Sequence, residues 1–325
     1  MIRTAPLVRT VPIRLLDIHR DLIPVADLIE LCFSTTLDAD GHEYLHQIRR
    51  AAVDQAYLRW VPGASERVSM PLFGYVWVED KRIVGNLSLI PIHKNGTWLY
   101  LIANVAVHPE FRRHGIAREL TLKALDHVKK HQVSSAWLQV RADNQPAIDL
   151  YRSTGFVERS RRTTWINPNS PAPLALNEVT VSARNAGDWE RQRAWLNQTY
   201  PPQVTWNLQY DSTHFDPGFW RQMWRWVSGE PQEHWVARRR SDNEILGFAS
   251  WESLPMLNDQ IWIASPPEHE EIAIQALLTQ AGQTLAARRR TLNVNYPAGR
   301  AVNAFTRCGY KPLNTLIWME NAFPR

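Results

Sequence analysis

The stretch that most constrains this chain is "NPNSPAPLALN" at 167–177, which holds three prolines and no charged residue. It can continue neither a helix nor a strand, because proline fixes φ and removes a backbone donor. At 325 residues the chain is already long for one ordinary domain. What stands on each side of the break therefore decides the architecture, and the two sides run in the same order.

Before the break, 10–16 reads as a strand. A helix is expected near 24–33, with Val25, Leu28, Ile29 and Leu31 at helical spacing. "FGYVWVEDKRIVGNLSLI" reads as a hairpin, two β-rich runs around a polar turn. "TWLYLIANVAV" (97–107) is apolar enough for a central strand covered on both faces. Residues 115–131 carry Ile116, Leu120, Ala124 and Val128 at helical spacing and end in basic residues. "SSAWLQVRA" reads as a strand, and "NQPAIDLYRSTGF" as a short helix opened by Asn144 and ended by Gly155.

After the break, "NEVTVSAR" and "AGDWERQRAWLNQ" give strand and helix, and "HWVARRRSDNEILGFASW" a hairpin whose "EILG" (244–247) mirrors "RIVG" (82–85). "QIWIASPPEHEEIAIQALL", "TLNVNYP" and "AGRAVNAFTRCGY" complete the second series. The reading is two copies of one β/α unit: a domain at 10–167, a linker at 168–177 and a domain at 178–322.

Composition bounds the function. The apolar fraction of 44% is ordinary for a globular protein. No run reaches the ~18–20 consecutive apolar residues of a membrane span, so no membrane association is expected. The basic start lacks the apolar core of a signal peptide, and the expectation is a cytoplasmic protein. Cys32 and Cys308 match no metal or redox spacing and read as two thiols of the fold, with no metal expected. The net charge of +5 lies in the first half: 22 Lys+Arg against 17 Asp+Glu up to Asn167, then 15 against 15. No DNA- or RNA-binding motif accompanies that excess, so no nucleic-acid partner is expected.

Part of it is concentrated in "RRHGIA" (112–117), between the long apolar strand and a helix. A turn of this kind leaves unpaired amides at a helix N-terminus, which with the helix dipole make an anion cradle. Gly115 keeps side chains out of the way, Ala117 keeps the next turn small, and Arg112, Arg113 and Arg118 add countercharge. A solvated basic loop is the plain alternative. What favours the cradle is its place between strand and helix.

"VAVHPEFRRHGIAREL" followed by "VRADNQPAIDLYRSTGF" resembles the Gcn5-related N-acetyltransferase (GNAT) family, over roughly 97–157. The matching signature is a strand, Arg/Gln-x-x-Gly-x-Gly/Ala at a helix start, then Asn…Ala…Tyr…Gly-Phe. The resemblance implies an α/β (α+β) fold of two GNAT-like domains, each a mixed, mostly antiparallel central sheet flanked by helices. It also implies acetyl transfer from acetyl-CoA to an amine of a small molecule or peptide. The CoA pyrophosphate would lie on the turn and helix start, Arg112, Arg113, His114, Gly115, Ile116, Ala117 and Arg118. The pantetheine arm would pair with Val105, Ala106 and Val107, and the amide of Val107 or Val105 would polarise the thioester. Asn144 would bond the pantetheine arm, and Tyr151 would protonate the departing thiolate.

The chemistry is consistent on its own terms. Amine attack on a thioester needs a donor for the oxyanion and a proton for the sulfur. A phenol of ordinary pKa ~10 holds its proton at neutral pH. Tyr151 also reads as a core aromatic, and Asn144 as a helix N-cap. Many family members carry a glutamate on the long strand; this chain has Ala103 and Asn104 there. Glu79, Asp80, His93, Glu43 or a water chain remain as candidate bases.

The second copy departs from the signature. Aligning Val107 with Ile263 sets "EHEEIA" (268–273) over "RRHGIA", with Glu271 at the glycine and Glu268 at the first arginine. Aligning Gly155 with Gly309 sets Phe305 at Tyr151 and Ala298 at Asn144. A degenerate domain without a CoA site, packing on or capping the first, is expected. "FDPGFWRQMWRWVSG" (215–229) places Phe219, Trp220, Trp224 and Trp226 on an expected helix, either core or acceptor pocket, which Trp206, Trp235 and Trp251 could join. A non-catalytic acyl-CoA sensor on the same scaffold is the rival function.

Overall fold

In a computed structural model of the protein, residues 12–37, 39–54, 73–94, 96–167, 177–206, 208, 210–218, 231–253, 259–288 and 290–323 are described. The chain divides into two units, one of Met1–Val140, Asn144–Glu158 and Met319–Arg325, the other of Arg141–Asp143 and Arg159–Trp318. The linker at 168–176 and the tryptophan-rich stretch at 219–230 lie outside the described residues.

The first unit runs β1 (Ile13–Leu15), α1 (Leu22–Phe33), α2 (Ala39–Val53), β2 (Gly74–Glu79), β3 (Arg82–Lys94), β4 (Thr97–Val107), α3 (Ile116–Lys130), β5 (Ser135–Arg141) and α4 (Gln145–Ser153). Strands β1 to β4 form an antiparallel meander, and β5 joins β4 in parallel after the crossover helix α3. Parallel neighbours need such a crossover, which is why the helix stands between those two strands. One face is covered by α1 and α2, whose Leu22, Val25, Leu28, Ile29, Leu45 and Ile48 pack with Val76 and Ala106. On α3, Ile116, Leu120, Ala124 and Val128 are buried at four-residue spacing, so one stripe of the helix faces the sheet. Ile116, Leu120 and Val128 each contribute about 1.5–3 kcal/mol on burial. A Cβ on Gly85 would come within 2.8 Å of Ile116 Cγ2 and 3.0 Å of Trp77 Cβ, so glycine is what lets α3 approach β3.

The second unit repeats the plan with β6 (Val157–Asn167), β7 (Val179–Ala183), α5 (Trp189–Thr199), α6 (Pro202–Thr205), β8 (Gln232–Arg239), β9 (Ile245–Glu252), β10 (Asp259–Ala264), α7 (Glu270–Leu285), β11 (Leu292–Pro297), α8 (Val302–Arg307) and β12 (Lys311–Ala322). Strands β7 to β10 are the antiparallel meander, and β11 joins β10 in parallel after α7. Here β6 pairs antiparallel with β11, from Leu292↔Asn167 to Pro297↔Arg162, and so counts with the second unit although it precedes the linker. The end of β12, from Met319, counts with the first. The core holds Trp165, Trp235, Trp251, Phe305 and the inner face of α7, with Trp165 stacked on Phe305 at 4.8 Å. Trp235 and Trp251 are therefore core residues and line no acceptor pocket.

Candidate active site: a splayed strand and a left-handed turn

Strands β4 and β5 pair only over Tyr100↔Ala136, Leu101↔Trp137 and Ile102↔Leu138, then diverge. Across β3, Asn86↔Ala106 and Ser88↔Ala103 are partners, so Asn104 and Val105 both oppose Leu87 in a β-bulge. Asn104 takes φ +52°, a left-handed conformation that asparagine tolerates better than most residues. Beyond the bulge, the amide of His108 donates to Val84 O on β3 at 2.8 Å. Alternation along an antiparallel pair then turns the peptide groups of Val105 and Val107 the other way, toward the open side. The Val107 carbonyl accepts from Cys32 Sγ at 3.2 Å and from Arg112 Nε at 3.1 Å. Burial pushes the Cys32 thiol up, so it stays protonated as that donor.

A single 3₁₀ turn, Pro109–Phe111, follows β4. Arg113 at φ +67° and Gly115 at φ +81° then reverse the backbone into α3. The first bond of the helix is Glu119 N to Gly115 O at 3.0 Å. The amides of Ile116, Ala117 and Arg118 thus precede any intrahelical acceptor. Nothing lies within 4 Å of a Cβ built on Gly115, and Arg112, Arg113, His114 and Arg118 are exposed around it. Alternating left-handed residues, free amides and a helix N-terminus together form an anion-binding concavity. Arg112 holds the strand end as well as adding charge.

Asn144 caps α4, accepting from Ala147 N at 3.3 Å, so the cap reading is realised in the structure. Tyr151, on the same helix, is buried with its ring edge-on to Phe156 at 5.9 Å. Burial pushes its phenol well above the ordinary range, so it is fully protonated near neutral pH.

Of the candidate bases, Glu79 accepts from Trp77 Nε1 at 3.1 Å, His93 packs on Trp98 at 4.8 Å, and Glu43 accepts from Gln47. All three lie at exposed positions, and Asp80 is in the β2–β3 turn. At the bulge the structure instead assembles neutral groups. Asn104 Nδ2 donates to the Tyr44 hydroxyl at 2.6 Å and to Ser88 Oγ at 3.3 Å, and Asn86 Nδ2 donates to Asn104 O at 2.9 Å. Sequence reasoning did not reach Tyr44, Asn86 or Ser88. The signal available was "GNLSL", two polar residues within an otherwise apolar strand run. Among the described residues no group of three His, Cys, Asp or Glu could hold a metal ion, and no helix is long and apolar enough to cross a membrane.

In the second unit β10 and β11 also diverge, after Asp259↔Leu292 and Gln260↔Asn293. That splay is occupied by the protein itself. The Tyr200 hydroxyl accepts from Ile263 N at 3.3 Å and donates to Asn295 O at 3.0 Å, spanning the two strands. Below it, buried Glu270 accepts from Tyr296 Oη at 2.7 Å and from Arg300 Nε at 3.0 Å. The alignment of "EHEEIA" over "RRHGIA" needs correction. Ala264 pairs with Phe248, which sets Ser265, rather than Ile263, opposite Gly247 as Val107 is opposite Gly85. The 3₁₀ turn Pro267–His269 then runs straight into α7 at Glu270, with no left-handed turn between them. The cradle is missing as a piece of backbone, beyond any reversal of charge. Glu271 caps α8 instead, accepting from Ala304 N at 2.8 Å. Phe305 does stand where Tyr151 does: Tyr310 N bonds Phe305 O at 3.0 Å, as Phe156 N bonds Tyr151 O at 3.0 Å.

Residues 34–156 match the model of the acetyltransferase (GNAT) family. Among curated proteins, the [ribosomal protein bS18]-alanine N-acetyltransferase of Escherichia coli is 42% identical over 62 residues, 19% of this chain and 42% of that protein. N-alpha-acetyltransferase 30 of Schizosaccharomyces pombe is 30% identical over 92 residues, 28% of this chain and 61% of that protein. The matches thus span less than two thirds of either relative. A solved GCN5-related N-acetyltransferase from Sphaerobacter thermophilus covers 95% of both chains at 14% identity with a TM-score of 0.54, a likeness of fold.

Proposed function

We propose that the first copy, whose residues 34–156 match the acetyltransferase (GNAT) family, transfers an acetyl group from acetyl-CoA to a primary amine. The observation that carries the reading is the splay of β4 from β5, ending in a left-handed turn with unbonded amides. The pyrophosphate rests on the amides of 113–118 with Arg113 and Arg118 beside it. The pantetheine arm takes the place of a strand along Val105–Val107, where β5 has withdrawn, and Asn144 borders its path.

The amine nitrogen attacks the thioester carbonyl and a C–N bond forms. The oxyanion is held by one strand amide, that of Val107 or Val105, a donor that needs no reorganisation as charge develops. The C–S bond then breaks and the thiolate takes the Tyr151 proton, while the amine nitrogen releases its own proton to water and water returns one to the Tyr151 phenolate, leaving amide and CoA thiol. Burial raises the phenol, so it holds its proton near neutral pH and is the donor this step assigns to the departing thiolate. The second copy does not take part in this binding, since its cleft is bridged by Tyr200.

Calorimetric titration with CoA and acetyl-CoA, followed by thiol release across a panel of amines and peptide N-termini, tests the proposal. Binding with turnover of at least one amine is expected. Binding without turnover on any acceptor points to a sensor, and absence of binding refutes both readings.

A further inference from the structure

The bulge that orients Val105 and Val107 has no glycine at its left-handed residue, so something must hold Asn104 at φ +52°. It is fixed from both sides. Asn86, fully buried on β3, donates to the Asn104 carbonyl at 2.9 Å. Asn104 Nδ2 in turn donates to Tyr44 on α2 at 2.6 Å. Burial pushes the Tyr44 phenol up, so it is a neutral hydroxyl there.

The fold alone does not call for an amide at this place. Asn86 Oδ1 is buried with no hydrogen-bond partner, and such a group costs stability. What Asn86 supplies is the bond from its Nδ2 to the bulge. The second copy provides an internal comparison. There Phe248 follows Gly247 where Asn86 follows Gly85, and β9 and β10 pair from Gln260↔Glu252 to Ala264↔Phe248 with no register shift. The copy with the asparagine has the bulge and an open splay. The copy without it has a regular ladder and a splay closed by a tyrosine.

We infer that Asn86 and Tyr44 are positioning residues for the acyl transfer: by clamping Asn104 they hold the bulge that turns the Val105 and Val107 amides into the cleft, where one polarises the thioester carbonyl and the other pairs with the pantetheine arm. They touch no reacting atom and act through β4. This rests on the reading that the cleft takes acetyl-CoA. Without the clamp Asn104 relaxes toward extended backbone, the extra residue is absorbed, and a one-residue slip turns those amides away from the cleft.

The test is the affinity of the full chain for acetyl-CoA and for CoA, which lacks the acyl carbonyl, in Asn86→Leu and Tyr44→Phe. In each variant acetyl-CoA affinity is expected to fall about tenfold, corresponding to about 1.4 kcal/mol. CoA affinity should fall less, by about threefold, because CoA loses only the pantetheine pairing along Val105–Val107, whereas acetyl-CoA also loses the bond to its acyl carbonyl. Wild-type acetyl-CoA affinity in both folded variants overturns the clamp. So does an equal loss for the two ligands, the mark of a general loosening. If Asn86→Leu does not fold, Tyr44→Phe decides alone, since it deletes one oxygen. If the unaltered protein binds neither ligand, it is the underlying acetyl-CoA reading that fails.

Discussion

Replacing Gly115 separates the cost to folding from the cost to binding, because the position is left-handed and open at once. At φ +81° any L residue is strained, by about 1–2 kcal/mol. No neighbour lies within 4 Å of the new Cβ, so steric clash adds nothing further. Gly115→Ala and Gly115→Glu should therefore both lower Tm by a similar amount, roughly 2–8 °C for a unit of this size. Their effects on CoA should differ. A carboxylate ~6 Å from a doubly charged pyrophosphate is repelled by about 1.4 kcal/mol in bulk water and about 5.5 kcal/mol at an effective dielectric of ~20. The Kd of Gly115→Glu should thus rise at least about tenfold beyond that of Gly115→Ala. Thermal melting and isothermal titration on the same preparations measure the two quantities. The mirror change, Glu271→Ala, should cost about 1 kcal/mol through the lost cap on α8 and leave CoA affinity unchanged. Wild-type binding by Gly115→Glu would refute the reasoning, placing CoA away from this turn.

Two other outcomes follow from the buried tyrosines. Tyr151→Phe should reduce turnover at least about a hundredfold while CoA affinity stays within about threefold, read by thiol release and titration. Unchanged turnover would remove Tyr151 from the proton path. Burial pushes the Tyr200 phenol up to about 12, above its unfolded value of about 10. The folded state then binds the proton more tightly, so this stability is complete below pH 10 and is lost as pH rises from 10 through 12. Urea midpoints should fall over that range, and fall less in Tyr200→Phe. Equal slopes in the two proteins would contradict the assignment.

Much of the first unit could be read from the sequence because its signals are local. The run at 97–107 is β4 to the residue, and the helix expected at 115–131 is Ile116–Lys130. The turn before it was legible because glycine, arginines and the flanking elements stand together in sequence. Two strands were not recognised. "VERSRRTTWIN" carries four charges, and its strand character comes from pairing with β11, 125 residues further on at Asn167↔Leu292. "KPLNTLIWMENA" has a proline as its second residue and holds no regular alternation of polar and apolar residues, so no strand period marks it. The helix Ala39–Val53 was also missed, since an internal glycine and scattered charges blur its apolar stripe. The ungapped alignment of the two copies is off by two residues at the strand end, because residues 112–115 between the 3₁₀ turn and α3 have no counterpart between His269 and α7. The clamp at Asn104 and the tyrosine across the second splay depend on contacts 18 to 95 positions apart, beyond the reach of any local pattern.

The hydroxyl of Tyr200 between Ile263 and Asn295 has a thermodynamic corollary. A ligand tethered in its own site has a fixed effective concentration, which neither dilution nor dialysis can lower. On the proposed reading the second unit is in that sense permanently occupied, and its stability is independent of any cosubstrate pool. The first unit, on the proposed reading, gains RT ln(1 + [L]/Kd), about 2.7 kcal/mol at a ligand concentration of 100 times Kd. One half of the chain then keeps a constant resistance to unfolding and proteolysis, while the other becomes more durable as acetyl-CoA accumulates.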